Sequence, residues 1–418
     1  MSLVPSALTQ LSRGLRPFAF LAACFALLAL AGCDTYSLHR GKGPAGTPKG
    51  QPGWGNGAPT MIIDRQALTL PHMDSTGGEP VRIGMLVPLT GPQAALGKAL
   101  LDAAQLAIFE AGRSDLLLLP EDTHGTPQGA TFAMQTVLQK GAELVLGPVL
   151  AEEVTAVTPI AQGTHTPVVA FSTNSAVAAP GVYLLSFPPE LEVERVVDFA
   201  IANGRRSIAA LIPETQYGQV VEGAFVRAVQ QRGAVLGPVD HYPSDTAQMF
   251  EPAKRVVNQG GFDAILLPEG GTKLRGLAPL MPYYGVDTTS VKLLGTGLWD
   301  EPNVGREAAL IGGWFAAPAP AVRAAFNERY KAVYGSDPLR LASLGYDGVA
   351  LAAALAAAPP GARFTLEHIT NPSGFGGIDG IFRFRPDGLI ERGLAVNEVT
   401  STGFKMVSPA PESFSGGY

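Results

Sequence analysis

Cysteine is almost missing from this 418-residue chain: there are two, Cys24 and Cys33, both near the amino terminus. A chain cut just before Cys33 keeps a single thiol and forms no internal disulfide. Its fold then rests on buried apolar surface alone, even in an oxidising compartment. Histidine is sparse as well, with six residues at positions 39, 72, 124, 165, 241 and 368 and no pair at metal-ligand spacing. The sequence contains no His-Glu-x-x-His, no Gly-x-Ser-x-Gly nucleophile turn and no Cys-x-x-Cys. Gly91 to Lys98 imitates a phosphate loop, but five residues separate its glycines where four are needed, and Ala99 stands where a hydroxyl is required. Paired acids such as Glu121-Asp122 and Glu152-Glu153 adjoin strand ends or helix starts, where capping explains them. No enzymatic activity, catalytic residue, metal or cofactor is therefore expected. Charged residues make up only 16%, the formal net charge is −6, and no basic run occurs. That excludes nucleic acid as a partner.

The amino terminus carries a distinct signal. Arg13 and Arg16 precede an apolar run over 18–31, which ends at Gly32, Cys33 and Asp34. Positive charge, a short apolar core and small residues before a cut site mark a secretory signal. The run is shorter than the roughly 20 residues that span a bilayer. Leu30-Ala31-Gly32-Cys33 also resembles the bacterial lipobox, which implies acylation of Cys33 as the first mature residue. Loss of Arg13 and Arg16 takes the formal charge from −6 to −8. No later apolar stretch reaches membrane-spanning length without a Gly, a Pro or a charge, so the lipid is the expected membrane contact. Residues 34–80 are rich in Gly, Pro, Ser and Thr, as in Gly53-Trp54-Gly55-Asn56-Gly57. They read as a flexible tether with a root-mean-square span of roughly 35–40 Å. Met61-Ile62-Ile63 and Leu68-Thr69-Leu70 are short apolar segments within it that can dock locally.

From Arg82 a regular alternation begins. Short apolar runs at 82–87, 116–119, 144–146 and 168–170 alternate with helical spacing at 96–111, 130–140 and 154–161. The pattern restarts with helices at 191–202, 220–231, 253–259 and 274–281 between strands at 207–212, 235–240, 264–267, 291–294 and 310–315. Two helices at 322–334 and 341–357 follow, and 381–407 turns to strand-and-turn character. Alternating strands and helices imply parallel sheets covered on both faces. The expected fold class is α/β: two doubly wound lobes joined by hinge crossovers, after a signal peptide (1–32) and a tether (33–80). The expected division is 81–188 plus 318–370 for the first lobe, 189–317 plus 371–409 for the second, and a tail at 410–418. In such folds ligands bind beyond the carboxyl ends of the strands.

The stretch Arg82-Ile-Gly-Met-Leu-Val-Pro-Leu-Thr-Gly91 resembles the opening of type I periplasmic binding proteins of the Leu/Ile/Val-binding class. The likeness continues through Leu146-Gly147-Pro148, Val169-Ala170-Phe171-Ser172-Thr173-Asn174 and Pro213-Glu214-Thr215-Gln216-Tyr217-Gly218. It closes with Leu344-Gly345-Tyr346-Asp347 and Gly380-Ile381-Phe382-Arg383-Phe384. Within that superfamily, the lipid anchor, the long tether and Phe171 to Ser175 followed by Gly181 to Phe187 are most similar to the penicillin-binding protein activators. The resemblance implies a periplasmic lipoprotein that contacts a peptidoglycan synthase (a penicillin-binding protein). The alternative is a solute-binding lipoprotein that delivers branched-chain or other amino acids to an ABC permease. Either membrane is open for the anchor, since Asp34 points to the inner one and the activator likeness to the outer.

The resemblance also implies an interlobe cleft that holds a small molecule. Its candidate lining is Thr90, Ser172 and Thr173 from the first lobe and Tyr217 and Glu269 from the second. In amino-acid binders of this class, hydroxyls and amides hold the ligand carboxylate and an acid holds its ammonium. Both charges are desolvated as the lobes close, so both need partners. One departure stands out: after Gly147-Pro148, where the family carries a ligand-binding Ser, this chain reads Val149-Leu150-Ala151-Glu152. A hydrogen bond to a charged group contributes about 1.5–3 kcal/mol, so the loss lowers affinity for a carboxylate. Trp299 and Tyr346 are aromatic candidates for cleft or core.

Overall fold

The computed structural model describes residues 61–62 and 80–414, except 244 and 302. The expected signal segment, Cys33 and most of the expected tether lie outside the described residues. A two-residue strand β1 (Met61–Ile62) comes first. The first lobe opens with β2 (Val81–Val87), α1 (Ala94–Ala111), β3 (Leu116–Asp122), α2 (Pro127–Gln139), β4 (Leu144–Leu146), α3 (Ala151–Thr164), β5 (Val168–Ala170) and β6 (Val182–Leu184). The second lobe follows with α4 (Pro189–Ala202), β7 (Ser207–Pro213), α5 (Gln216–Gln231), β8 (Val235–Tyr242), α6 (Phe250–Gln259), β9 (Ala264–Leu266), α7 (Gly271–Leu277), α8 (Leu280–Tyr283), β10 (Lys292–Gly295) and β11 (Trp314–Ala317). The chain then runs through α9 (Pro320–Tyr334), α10 (Ala342–Leu355), α11 (Leu366–Ile369), β12 (Phe375–Gly377), β13 (Gly380–Phe384), β14 (Ile390–Arg392), β15 (Ala395–Thr400) and β16 (Gly403–Ser408).

Five strands of the first lobe form a parallel sheet in the order β3-β2-β4-β5-β6. The second lobe repeats the same order as β8-β7-β9-β10-β11, with β15 and β16 added antiparallel beyond β11. The order of strands in each sheet thus reverses beside its first strand, between β2 and β4 and between β7 and β9. Alternation along the strands explains how both faces are covered. Val81, Ile83, Met85 and Val87 of β2 enter one core with α1 and α10, whereas Leu86 enters the core under α2 and α3. In β7, Ala209 and Leu211 face one core and Ile208, Ala210 and Ile212 the other, under α4 and α5.

The two first strands are followed by closely matched turns. A Cβ on Gly97 would lie 1.9 Å from the carbonyl oxygen of Pro88, and one on Gly218 the same distance from that of Pro213. The first turns of α1 and α5 therefore press on the ends of β2 and β7, which only glycine permits. These glycines set how near each helix stands to the end of its strand.

Two expectations need correction. Residues 371–392 were expected in the second lobe, yet Phe375, Ile378, Phe382, Phe384 and Ile390 sit in the core of the first. Strands β12, β13 and β14 form a small antiparallel sheet there, joined by β1 in parallel register at Met61 and Phe375. The crossover to the second lobe comes later, between Arg392 and Ala395. The aromatic residues of this tail outweigh its strand-and-turn pattern, because they complete the core that α1, α9 and α10 form on one face of the first sheet. Likewise 310–315 is not one strand: Ala308–Leu310 is a single 3-10 turn and Gly312 has φ of 84°, so pairing begins at Trp314.

Gly97→Ala and Gly218→Ala should each lower stability by about 1–3 kcal/mol, the usual cost of overpacking, read as a fall in urea midpoint. Gly276→Ala, at a position in α7 with open space around it, should be neutral or stabilising by up to about 1 kcal/mol.

Candidate functional site

Three crossovers join the lobes, first between β6 and α4, second between β11 and α9 and third between β14 and β15, and each leaves from, or returns to, the edge where the parallel strands end. The carboxyl ends of both sheets therefore meet at the hinge, and every loop named below lies at one of them. On the first lobe, the loop after β2 is tied to the end of β3. Asp122 Oδ1 accepts from the Leu89 amide at 2.8 Å and the His124 amide at 2.8 Å, and Asp122 Oδ2 accepts from the Thr90 hydroxyl at 2.7 Å. Burial pushes the Asp122 carboxyl up, but the Thr90 hydroxyl and the His124, Leu89 and Thr90 amides outweigh it and hold the pKa below the usual carboxylate range. The Thr90 hydroxyl, a candidate ligand contact, is thus already engaged in shaping its loop.

Ser172 and Thr173 follow β5. Ser172 is buried and its Oγ accepts from the Asn174 amide at 3.3 Å, while Thr173 is exposed. Beside them, Val149 is buried and offers no hydroxyl. Glu153, three residues into the next helix, is fully buried and accepts from the Leu150 amide at 3.0 Å, and burial raises its pKa. It completes a cap, as the sequence suggested for Glu152-Glu153.

The second lobe brings its candidates closer together. Tyr217, at the start of α5, shares a hydrogen bond of 2.9 Å with Thr296 Oγ1, just past β10. Burial pushes its hydroxyl pKa up, with the nearby charges of Glu192 and Glu269 adding to the shift. Glu269, in the loop after β9, is 9% exposed and lies near both Tyr217 and Tyr242. Tyr242 is fully buried, and its pKa rises from burial and then from Glu269. Trp299 belongs to the core, donating from Nε1 to the Leu267 carbonyl at 3.1 Å. Tyr346 is also core and donates to Glu110 at 2.5 Å.

Sequence reasoning missed Glu192. It sits in the first turn of α4 on the face shared by Val193, Val196 and Ala200, and is buried. Its Oε2 accepts from the Gly297 amide at 2.9 Å, and a Cβ at Gly297 would fall 2.4 Å from its Oε1. Burial pushes its pKa up to about 8. The available signal was a carboxylate in register with an apolar helix face, masked by the bland reading of an acidic first turn. Sequence reasoning also missed the hinge cluster. Arg323 bridges Asp300 of the second lobe at 2.6 Å and Asp379 of the first at 3.0 Å. Arg392 donates to the Ser186 carbonyl at 2.6 Å, and the Phe187 ring lies between the guanidinium groups of Arg340 and Arg392, at 4.2 and 4.3 Å. Among the described residues there is no group of three or more His, Cys, Asp or Glu side chains placed to hold a metal. No helix among them is long and apolar enough to cross a membrane.

A family model described as periplasmic binding protein matches residues 80–403. The chain belongs to the periplasmic binding protein family. Solved structures share the fold of this periplasmic binding protein. One is a putative branched-chain amino acid ABC transporter from Rhodospirillum rubrum, with a TM-score of 0.71 and 20% identity, covering 78% of this chain and 100% of that one. Another is the branched-chain amino acid transporter substrate-binding protein LivJ from Streptococcus pneumoniae in complex with isoleucine, with a TM-score of 0.57 and 17% identity, covering 79% of this chain and 100% of that one. A curated relative, the uncharacterised protein RP748 of Rickettsia prowazekii (strain Madrid E), is 22% identical over 232 residues, or 56% of this chain. The match spans 60% of that relative's length.

The shift at Glu192 has a measurable sign. An unfolded Glu titrates near 4.3, so between that value and about 8 the folded state holds a proton that the unfolded state has released. Stability contributed by neutral Glu192 is therefore full at low pH and is lost as pH rises, by up to about 1.4 kcal/mol per unit. Glu192→Gln keeps an acceptor for Gly297 and should remove this slope. Melting temperatures from pH 5 to 8.5 should show the variant gaining on the native chain throughout that range.

Proposed function

We propose that the protein captures a small zwitterionic solute of the amino-acid class in the cleft and presents it to a membrane permease, held in the periplasm by a lipid on Cys33. The observation that carries this reading is Glu269. It is 9% exposed and forms no ion pair among the described residues. A buried carboxylate without a cation costs several kcal/mol in principle, and a ligand ammonium entering the cleft relieves it. Tyr217 and Tyr242 beside it supply the apolar walls that strengthen such a pair. The carboxylate of the solute would fall to Ser172, Thr173 and the backbone amides of the first lobe, with Val149 contributing contact only. The isoleucine held by the S. pneumoniae protein and the branched-chain amino-acid transporter from R. rubrum agree with a ligand of this class.

One observation favours a second reading, in which the domain is a penicillin-binding protein activator that contacts a peptidoglycan synthase. Val149 removes a carboxylate donor from the first-lobe wall, which a protein released from solute capture can tolerate.

Calorimetric titration with leucine, isoleucine and valine separates the two. Solute capture predicts micromolar binding that Glu269→Gln weakens about 10- to 100-fold, the value of one hydrogen bond to a charged group. No binding to any amino acid, together with recovery of a penicillin-binding protein on the immobilised chain, would favour the activator and sink solute capture.

A further inference from the structure

After β16, the last strand of the second lobe, the segment Ser408-Pro409-Ala410-Pro411-Glu412-Ser413-Phe414 returns to the first lobe. It starts at Arg195 of α4, whose Nη2 donates to the Ser408 hydroxyl at 2.6 Å and to the Pro409 carbonyl at 3.4 Å. The same guanidinium donates from Nε to the Leu394 carbonyl at 2.9 Å, which fixes the start of the segment beside the third crossover. Pro411 then runs along Gly393 of that crossover, where a Cβ would fall 3.0 Å from the Pro411 carbonyl oxygen.

The far end lies on the first lobe. Gly374 has φ of 70°, and a Cβ there would lie 2.8 Å from the Phe414 ring, so glycine opens the notch that the ring enters. The Arg383 guanidinium stands 4.5 Å from the centre of that ring. Glu391 at 2.6 Å and the Pro372 carbonyl at 3.0 Å hold Arg383 in place, so its face meets the ring without further ordering. Between the two ends the backbone is stiff. Pro409 and Pro411 fix their own φ, and each holds the residue before it extended. Six residues at the polyproline rise span about 19 Å. Phe414 is half-buried and belongs to neither lobe's core, so it fastens the segment without being needed to fold either lobe.

We propose that residues 409–414 are a strap between the lobes, fastened by Phe414 in the Gly374 notch. It favours the interlobe arrangement in which Arg195 and the notch stand one strap length apart. A turn about the crossovers changes that separation, a stiff strap does not stretch to follow, and Phe414 leaves the notch. The strap thus shifts the populations of interlobe angles whatever the cleft holds. Distances between spin labels on Phe132→Cys of α2 and Tyr283→Cys of α8, both exposed, test this in the full-length chain with Cys24→Ser and Cys33→Ser. Phe414→Ala should move the ratio of interlobe populations about 2- to 5-fold away from the parent arrangement, the equivalent of one exposed cation–π contact. A chain ending at Glu412 should match that variant, and Phe414→Tyr, which keeps the ring, should match the parent. Coincident distance distributions for the parent and Phe414→Ala overturn the strap. So does a shift of equal size in Phe414→Tyr, since the ring in the notch is then not its cause.

Discussion

Three chain crossovers join the two lobes, and the arrangement depends on how their charges are satisfied out of water. Arg392 is almost wholly buried where the last crossover leaves the first lobe. Its Nε–H finds the Ser186 carbonyl on the first crossover, while its Nη atoms meet no acceptor and lie against aromatic rings. Arg323, just past the second crossover, divides its charge between Asp300 and Asp379 in opposite lobes. At least three acids, Asp300, Asp347 and Asp379, and three guanidinium groups thus share one largely dry region. Removing any one leaves the others uncompensated, a situation that costs far more than a surface pair contributes. Such a cluster makes the hinge a joint of few preferred geometries rather than a loose strap.

The same hinge positions the cleft. Because each crossover starts or finishes at the carboxyl ends of the strands, the loops after β2, β4, β5, β7, β9 and β10 are brought to face the region between lobes. The second lobe has the more chemically loaded wall, with Tyr217, Thr296, Glu269, Tyr242 and Glu192 in one neighbourhood. The first lobe offers mainly backbone and short hydroxyls, and the Thr90 hydroxyl is already spent on Asp122. The two walls are therefore unequal: one carries ionisable side chains, the other mainly backbone and hydroxyl groups.

Most of the α/β alternation was legible in the sequence because short apolar runs and helical spacing are local properties. Strand β2 and helix α1 could be read almost to the residue. Which lobe a segment joins is not local. The aromatic positions Phe375, Phe382 and Phe384 carry strand character wherever they pack, and only the uncovered face of the first sheet decides their place. The positions of the candidate residues were legible to the extent that they follow strands: Tyr217 and Glu269 share one neighbourhood, and Thr90 and Ser172 stand at strand ends. Glu192 and Arg392 were not, since their roles come from burial against residues roughly a hundred to two hundred positions away. Trp299 and Tyr346 show the converse, with large aromatic rings drawn into the core.

The late return of the chain to the first lobe bears on the order in which the molecule can be completed. Residues 81–184 supply all five strands of their sheet, yet the face on which α1 packs is completed only by α9, α10 and the aromatic side chains between 375 and 390. A nascent chain elongating from its amino terminus would leave part of that apolar face uncovered until nearly the whole polypeptide had emerged. Meanwhile 189–317 already contains the five parallel strands of the second lobe and the helices on both sides. The first lobe is thus finished by segments that follow the whole parallel sheet of the second lobe in the chain.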